Sequence, residues 1–536
     1  MCSKVMRETA KDEFNGLHSI YTTMQEEQRR TLAPMTVFVD SMMPVQKRMA
    51  DILPKRAVCD RLLQAYIATS EGLYRIIHAP SFRHEYNLYW DGRPCPEGFL
   101  PRLLCVMCIG SRFETDSKGF SLDRSDGVHI PTACALVRTW LDSLRGRHLV
   151  DMVTLQAEIL LLHAQRMIAP RHQNTWTQLG LIARMAMTMG MHRDPSEFPQ
   201  ISPFLGEMRR RLWFTIMDMD LHVALPSSFP SAVKDGEYSC QPPRNLDDAE
   251  LFPEMKELPP SRPIDHHTDA QMHAYAASTL PLRMRANNVL SRLETVRDYS
   301  EIIDIGTKLE RALDDVNCLF PRNQSLGAEN CYQVWRNRAL LDMHVRRPLL
   351  ALYRPFALGG VDCPAHISSV YLKSSMTMLT YMDELDPKTP GFDNVTHMYH
   401  VVMKHDIFQA AFSVCYFIHR SQAARSASTP TAPWLRSLTP EPPGRPVVGA
   451  GEDVLIWSKS GMTRAVKRFL DVMIGLATDA STDLKDVMAL AVVLASVQPA
   501  VTPEERTERI RAELRRILDG YHDTLKSSAF ASVCVS

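Results

Sequence analysis

Residues 191–213 decide how the chain is interpreted: positions 191–195 are MHRDP and positions 207–213 are EMRRRLW. MHRDP ends in a proline, which cannot continue a helix, so we predict that His192, Arg193, Asp194 and the proline close one helix. EMRRRLW opens a second helix with an apolar stripe at intervals of three or four, formed by Leu205, Met208, Leu212, Ile216, Met219 and Val223. Trp213, Phe214 and Met217 occupy other sides of this helix, which is therefore predicted to lie inside a helical body.

The charges on the second helix allow two interpretations. Glu207 lies one turn before Arg211, an arrangement that favours an ion pair, and Asp218 is expected on the same side. Arg209, Arg210 and Arg211 could instead contact phosphate. Consecutive helical residues point to different sides, however, so we predict a structural role for the cluster.

Arg209 also lies one turn before Trp213, close enough for its guanidinium to stack on the indole. Its position beside the apolar stripe requires a compensating partner, because an unpaired buried cation is costly. Asp194 and Asp220 are the predicted candidates.

Helical periodicity continues along the chain, whereas the alternating pattern of strands is nearly absent. We predict an all-α fold in four segments: a weakly structured N-terminal extension at 1–56, a multi-helix body at 57–420, a flexible linker at 421–452 and a C-terminal helical segment at 453–526. The last helix begins at Thr502-Pro503-Glu504-Glu505, which combines an N-cap threonine, a first-turn proline and a capping glutamate. Its predicted buried stripe consists of Ile510, Leu514, Ile517 and Tyr521.

The overall composition argues against a protein that coats nucleic acid. Among 536 residues, 61 Lys and Arg balance 61 Asp and Glu, so the basic excess typical of such proteins is lacking. The twelve cysteines are irregularly spaced and follow no secretory signal pattern, which predicts reduced thiols in the nucleus or cytoplasm. No apolar run has the length of a membrane span, so no membrane partner is expected.

Several segments together resemble the middle homology region, the regulatory region of fungal transcription factors that carry a zinc binuclear cluster. The resemblance is close over about 62–251 and looser over about 340–420. Besides MHRDP and EMRRRLW, the matching segments are 74–82 with its H-x-P-x-F pattern, 104–110, the L-Q helix at 155–162, the P-x-N-x-x-D at 243–248 and the L-x-R-P-F at 352–356. Residues 225–230 depart from the family, since Ser227, Ser228 and Phe229 stand near its usual Gly-Pro turn.

This resemblance implies an all-α fold and a regulator of transcription that acts on one metabolic pathway or biosynthetic gene cluster of secondary metabolism. It implies a location in the nucleus, with or without a share in the cytoplasm. It also implies DNA binding through six cysteines that hold two zinc ions. Only Cys2 and Cys59 precede the matched region, so no residue of this sequence is assigned a role in DNA binding. Zinc is expected only if a six-cysteine cluster lies upstream. The expected partners are a second copy or a zinc-cluster transcription factor, a small-molecule effector, and DNA only indirectly or through that missing module.

Other chemistries find less support in the sequence. His192-Arg193-Asp194 imitates a kinase tripeptide, but the phosphate-binding glycines and the D-F-G are lacking, so no catalytic residue is assigned. Cys105 and Cys108 have the spacing of half a zinc site, yet they lie in an apolar helix and are predicted to be buried thiols. For Asp265-His266-His267 we prefer helix capping to metal binding, and no metal site is assigned.

Four alternatives stay open at this point. The methionines at 185, 187, 189 and 191 could line a ligand pocket, although core packing is the simpler interpretation. The basic pairs at 29–30, 47–48 and 55–56 could form an arm that contacts DNA, or a solvated surface. Finally, the chain could be an enzyme or accessory protein of a biosynthetic pathway that reuses the helical body, or a regulator that blocks an intact relative by dimerising with it.

Overall fold

The computed structural model describes residues 8, 10–113, 128–168, 172–292, 299–320, 328–359, 363–384, 404–427, 458–475, 484–499 and 502–533. Every longer regular element in these residues is helical, which confirms the predicted all-α fold. The helices are α1 Lys11–Thr31, α2 Thr36–Val39, α3 Val45–Asp51, α4 Arg56–Thr69, α5 Ala79–Trp90, α6 Phe99–Gly110, α7 Ile130–Ser143, α8 Met152–Ile168, α9 His172–Thr188, α10 Pro203–Ala224, α11 Gln271–Leu290, α12 Tyr299–Leu319, α13 Ala328–Gly359, α14 Ala365–Glu384, α15 Lys404–Ala427, α16 Lys459–Gly475, α17 Leu484–Val497 and α18 Pro503–Val533. None of these helices combines the length and the apolar character needed to span a bilayer.

The chain divides into two compact units. One is formed by residues 29–352 with 387–402, and the other by 1–28, 353–386 and 403–536. The predicted body at 57–420 therefore contains residues of both units, because the division falls within α13. A boundary inside a continuous helix leaves no break in the helical pattern, so the sequence does not reveal it.

The core of the 29–352 unit surrounds α6. All twelve residues of Phe99–Gly110 are buried, and α6 packs against α4, α7 and α8. Gly110 lies so close to α4 that a Cβ there would be 2.1 Å from the carbonyl oxygen of Leu62. This contact leaves no room for a side chain at position 110.

Helix α10 carries EMRRRLW through the interior of the same unit. The Ser202 hydroxyl accepts a hydrogen bond from the amide of Leu205 at 3.3 Å, and Pro203 occupies the first helical position, so the start of the helix is well capped. Trp213, Phe214 and Met217 are buried together with most of the predicted stripe. Helix α10 packs against α9 and α11, as expected for an element that is apolar on most sides.

The helix before MHRDP ends differently from the prediction. Helix α9 stops at Thr188, and Gly190 takes a positive φ of 72°. The amide of Met191 donates to the carbonyl of Ala186 at 3.0 Å, and that of Gly190 to Met187 at 2.9 Å. These two bonds form a Schellman motif, in which glycine provides the left-handed conformation, so the proline is not what ends the helix.

In the second unit, α1 corrects the expectation of weak structure for residues 1–56. This helix buries Leu17, Ile20 and Met24, and its Glu13 accepts from Arg515 of α18 at 2.7 Å. Spacings of three and four residues between these apolar side chains indicate a helix, but the prolines farther along the segment obscured the pattern.

The C-terminal helices agree with the sequence. The Thr502 hydroxyl accepts from the amide of Glu505 at 3.1 Å, which confirms the predicted cap. The stripe of Ile510, Leu514, Ile517 and Tyr521 is buried. Of the linker predicted at 421–452, residues up to Ala427 belong to α15, and the others lie outside the described residues.

Candidate functional site

Arg211 faces the interior of the 29–352 unit, where two carboxylates neutralise it. Its side chain is 1% exposed, and its Nη1 lies 2.7 Å from Oδ1 of Asp248. Its Nε lies 3.5 Å from Oε1 of Glu207, so the predicted ion pair between these residues is present. Asp248 also pairs with Arg75, and it therefore joins two buried guanidinium groups.

The electrostatics of Asp248 follow from these partners. Burial alone raises the pKa of a carboxyl group, but the charges of Arg75 and Arg211 outweigh burial and lower the pKa of Asp248 to about 2. Asp248 is consequently ionised at neutral pH and balances charge that would otherwise be buried without compensation.

Glu207 connects the start of α10 to the loop at 243–250. Its side chain is fully buried, and its Oε1 accepts from the amide of Arg244 at 3.0 Å. Burial raises the pKa of Glu207, while Arg211 and Arg244 oppose that rise. The P-x-N-x-x-D loop is thus held against α10 from both Glu207 and Asp248.

Arg210 joins the two halves of the 191–213 signature. Its Nε and Nη2 lie 2.9 and 2.7 Å from the two carboxylate oxygens of Asp194. The Asp194 carboxylate also accepts from the amides of Ser196 and Gln241, at 3.0 and 2.9 Å. Burial opposes ionisation of Asp194, but these hydrogen bonds outweigh it and hold its pKa well below the usual range.

Arg209 has a different partner from the predicted carboxylates. Its Nη2 donates to the carbonyl of Met189 at 2.7 Å, at the C-terminal end of α9, where the helix dipole favours a cation. Asp194 is engaged by Arg210, and Asp220 accepts from the amide of Ala232 at 2.6 Å. The prediction of Asp194 or Asp220 as the partner of Arg209 is therefore wrong.

Asp218 likewise pairs away from the charges at the start of α10. It binds Arg283, and its Oδ2 lies 2.7 Å from Nε2 of His344. It follows Arg211 by seven residues, which is about 10 Å along a helix axis, so a shared side does not bring the two groups together.

The remaining signature residues divide between interior and surface. Trp213 is fully buried and lies against the ring of His192, with the centroids 6.3 Å apart. The predicted stacking of Arg209 on Trp213 is not among the contacts of the described residues. Arg193 is 56% exposed and pairs with Glu197. Together these contacts favour the structural interpretation of the arginine cluster over phosphate binding.

Arg75 and Asp248 belong to the buried charge network, but the sequence alone predicted no role for either residue. Each belongs to a segment with family resemblance, and an arginine inside the apolar run Tyr74-Arg75-Ile76-Ile77 signals a buried charge that needs a partner. The partner lies 173 residues away, a separation at which local spacing carries no information.

The other candidate residues take structural positions. Cys105 and Cys108 are buried within α6, as predicted, and burial raises the pKa of both thiols well above its ordinary value. His267 lies 3.1 Å from the side chain of Gln271, the residue that begins α11, and no group of His, Cys, Asp and Glu among the described residues is arranged to hold a metal. Arg48, from one of the basic pairs, is buried and donates to the carbonyl of Val39 at 2.7 Å.

A cavity of about 70 Å³ lies in the same unit, between residues that follow α4 and the helices α8, α10 and α13. It is partly open, and the methionines at 185–191 do not line it; they pack on the core instead. The lining residues are Thr69, Ser70, Leu73, Tyr74, Phe113, His163, Arg166, Met167, His222, Arg336, Leu340 and His344. Its described wall therefore contains two arginines and three histidines but no carboxylate.

Asp220 gives a testable pH dependence. Burial raises its pKa from 3.8 to about 6, against the opposing effects of the Ala232 amide and the Arg184 charge. A raised carboxyl pKa stabilises the fold below pH 3.8, and that contribution is lost as the pH rises through 6.

We therefore expect Asp220→Asn to gain stability relative to the wild type between pH 4 and pH 7.5, by about 2–3 kcal/mol. Urea unfolding of both proteins at the two pH values measures this change. A difference in unfolding free energy that stays constant with pH would contradict the raised pKa.

The charge network around Asp248 lies in a region that matches a known protein domain. Residues 63–262 match the model of the fungal specific transcription factor domain, a range that includes Arg75, the signature and Asp248. No solved structure matches the chain.

The relatives found by sequence carry names of transcription factors. The chain is 32% identical over 355 residues to transcription factor opdR of Penicillium oxalicum, which covers 65% of this chain and 44% of that protein. It is 28% identical to transcription factor lepE of Aspergillus flavus, over 64% of this chain and 40% of lepE. The equisetin cluster transcription factor eqxF of Fusarium heterosporum is 24% identical, over 85% of this chain and 67% of eqxF.

The chain thus spans less than half the length of opdR and of lepE. Residues 63–262, which match the domain, contain the buried charge network. The relatives described above are likewise named as transcription factors. Over residues 63–262 the chain is similar to proteins that carry the fungal specific transcription factor domain.

Proposed function

We propose that this protein is a fungal regulator of transcription in the nucleus that controls one biosynthetic gene cluster of secondary metabolism. The observation that carries the proposal is the domain match at 63–262, which coincides with the charge network around Asp248. The names of the relatives support it, since one of them is the transcription factor of the equisetin cluster.

We further propose that the domain itself does not bind DNA directly. Arg210 and Arg211 are engaged by internal carboxylates, and Arg209 by a backbone carbonyl, so these cations are not offered to phosphate. Contact with DNA is then provided by a zinc cluster, either elsewhere in the same protein or in a partner transcription factor with which this chain dimerises.

Transcript measurement in the native fungus tests the regulatory role. Deletion of the gene is expected to change the transcripts of a group of adjacent biosynthetic genes together, and reintroduction of the wild-type gene should restore them. Unchanged transcripts accompanied by loss of a single metabolic step would contradict the proposal and favour an enzyme or accessory protein.

A binding assay tests the proposal that a zinc cluster, and not this domain, contacts DNA. The purified chain is expected to retard promoter DNA only weakly and without sequence preference, whereas a co-purifying zinc-cluster protein restores selective retardation. Selective retardation by residues 29–352 alone would contradict the proposal that the domain leaves DNA contact to another module.

A further inference from the structure

The cavity described above contains a buried cation, Arg166, for which the described residues provide no carboxylate partner. Arg166 lines the cavity and is 8% exposed. Within the described residues, neither a hydrogen bond nor an ion pair joins it to a carboxylate. Burial lowers its pKa, and the nearby charge of Arg347 adds to this effect.

Several other arginines in the interior of the unit do have a carboxylate partner. Arg75 and Arg211 share Asp248, Arg210 has Asp194, and Arg283 has Asp218. A buried guanidinium without such a partner carries a large desolvation cost, which an incoming anion would relieve. Arg166 therefore points to a ligand.

His163 supplies a second polar group at the same cavity. Its ring is buried, and its Nδ1 has no hydrogen-bond partner among the described residues. Burial and the charge of Arg166 lower its pKa to about 3, so the imidazole is neutral and has one N–H to donate. His344, another polar residue of the wall, is already engaged, since its Nε2 bonds to Asp218.

Five side chains form the apolar part of the wall. Leu73, Phe113, Met167 and Leu340 line the cavity together with the ring of Tyr74. Its volume of about 70 Å³ is roughly half that of an engineered 150 Å³ cavity that binds benzene. The space therefore suits a charged head group with a few carbon atoms, and a longer chain could extend through the open side.

We propose that this cavity binds the carboxylate of a small aliphatic acid, with Arg166 as the anion contact and His163 as a hydrogen-bond donor. A planar guanidinium matches a carboxylate with two parallel hydrogen bonds, and the apolar wall accommodates the alkyl chain. The regulatory role of the acid rests on the proposed function. Its binding does not, because binding is measured on the purified chain.

The test compares butanoate with the uncharged butanamide, which has nearly the same shape. Millimolar butanoate is expected to raise the thermal midpoint of the full chain by roughly 2 °C or more, and butanamide to leave it unchanged. Equal responses to the acid and the amide, or no response to the acid, would overturn the proposal.

Substitution of Arg166 separates binding from folding. Arg166→Gln is expected to reduce butanoate affinity at least about tenfold, because it removes the charge. It should also leave the midpoint of the ligand-free protein unchanged or higher, since it relieves an uncompensated buried cation. Arg166→Lys should retain the preference for acid over amide, and Arg184→Gln, at an exposed arginine, should bind as the wild type does.

A structural role for Arg166 predicts the opposite pattern. The proposal fails if Arg166→Gln lowers the ligand-free midpoint by several degrees, or if this variant responds to butanoate like the wild type. Failure of either kind would leave the transcript measurements, and thus the proposed regulatory function, unaffected.

Discussion

Asp248→Asn is expected to lower the free energy of unfolding by roughly 3–5 kcal/mol, which is the cost of removing one partner from a buried ion pair. The substitution preserves the shape of the side chain but leaves Arg75 and Arg211 with reduced compensation, and both are almost completely buried. Chemical denaturation of the full chain at neutral pH, followed by circular dichroism, measures the loss.

Asp304→Asn is the matched control for this prediction. Asp304 also has two cationic neighbours, Lys308 at 2.8 Å and Arg285 at 3.7 Å, but all three groups are exposed. Solvent screens such pairs, so only a small change is expected. Comparable losses in the two variants would show that the burial of Asp248 does not determine its contribution.

Gly110→Ala is expected to cost about 3 kcal/mol or more, since the added Cβ would overlap the carbonyl oxygen of Leu62 at 2.1 Å. A flexible side chain could move aside, but here the obstacle is the backbone of α4, and α6 is buried along its whole length. The same denaturation measurement applies.

Gly180→Ala provides the corresponding control within α9. The atom nearest to its added Cβ is the end of the Arg184 side chain at 3.3 Å, which can move. Alanine is also favoured over glycine in a helix, so an effect between zero and about 1 kcal/mol of stabilisation is expected. If Gly110→Ala were equally well tolerated, the close approach of α4 and α6 would not be required for stability.

Local spacing predicted the elements of this fold well. The stripe of α18, its Thr502 cap and the pair between Glu207 and Arg211 all depend on residues within a few turns of one another. The Schellman motif at Gly190 belongs to the same class, because a glycine after the last apolar turn is a signal of helix termination. There the sequence contained the information, and the emphasis on Pro195 was wrong.

The partners of Arg75 and Arg209 were beyond this kind of inference. Arg75 contacts Asp248 because a loop far along the chain packs against α10. Arg209 donates to a backbone carbonyl at the end of α9, and a backbone carbonyl cannot be predicted as a partner from the residue type. Asp218 shows a related limit, since a shared side of a helix does not ensure contact two turns away.

The cavity was the least predictable feature. Its wall brings together residues near positions 70, 165, 222 and 340, each of which is unremarkable in its own segment. The methionines of α9 suggested a pocket, but they pack on the core, because their spacing reports only apolar character. The proposed function, in contrast, followed from the order of the motifs, and the domain match at 63–262 supports it.

The central claim is that Arg210 and Arg211 of the signature stabilise the domain through internal carboxylates. A double-mutant cycle on Asp194 and Arg210 tests it most directly, with unfolding free energies measured for Asp194→Asn, Arg210→Gln and the double variant. We predict that each single variant is less stable than the wild type and that the two changes are coupled by about 1–3 kcal/mol. Additive losses, or an Arg210→Gln variant that keeps its stability but loses affinity for DNA, would contradict the claim.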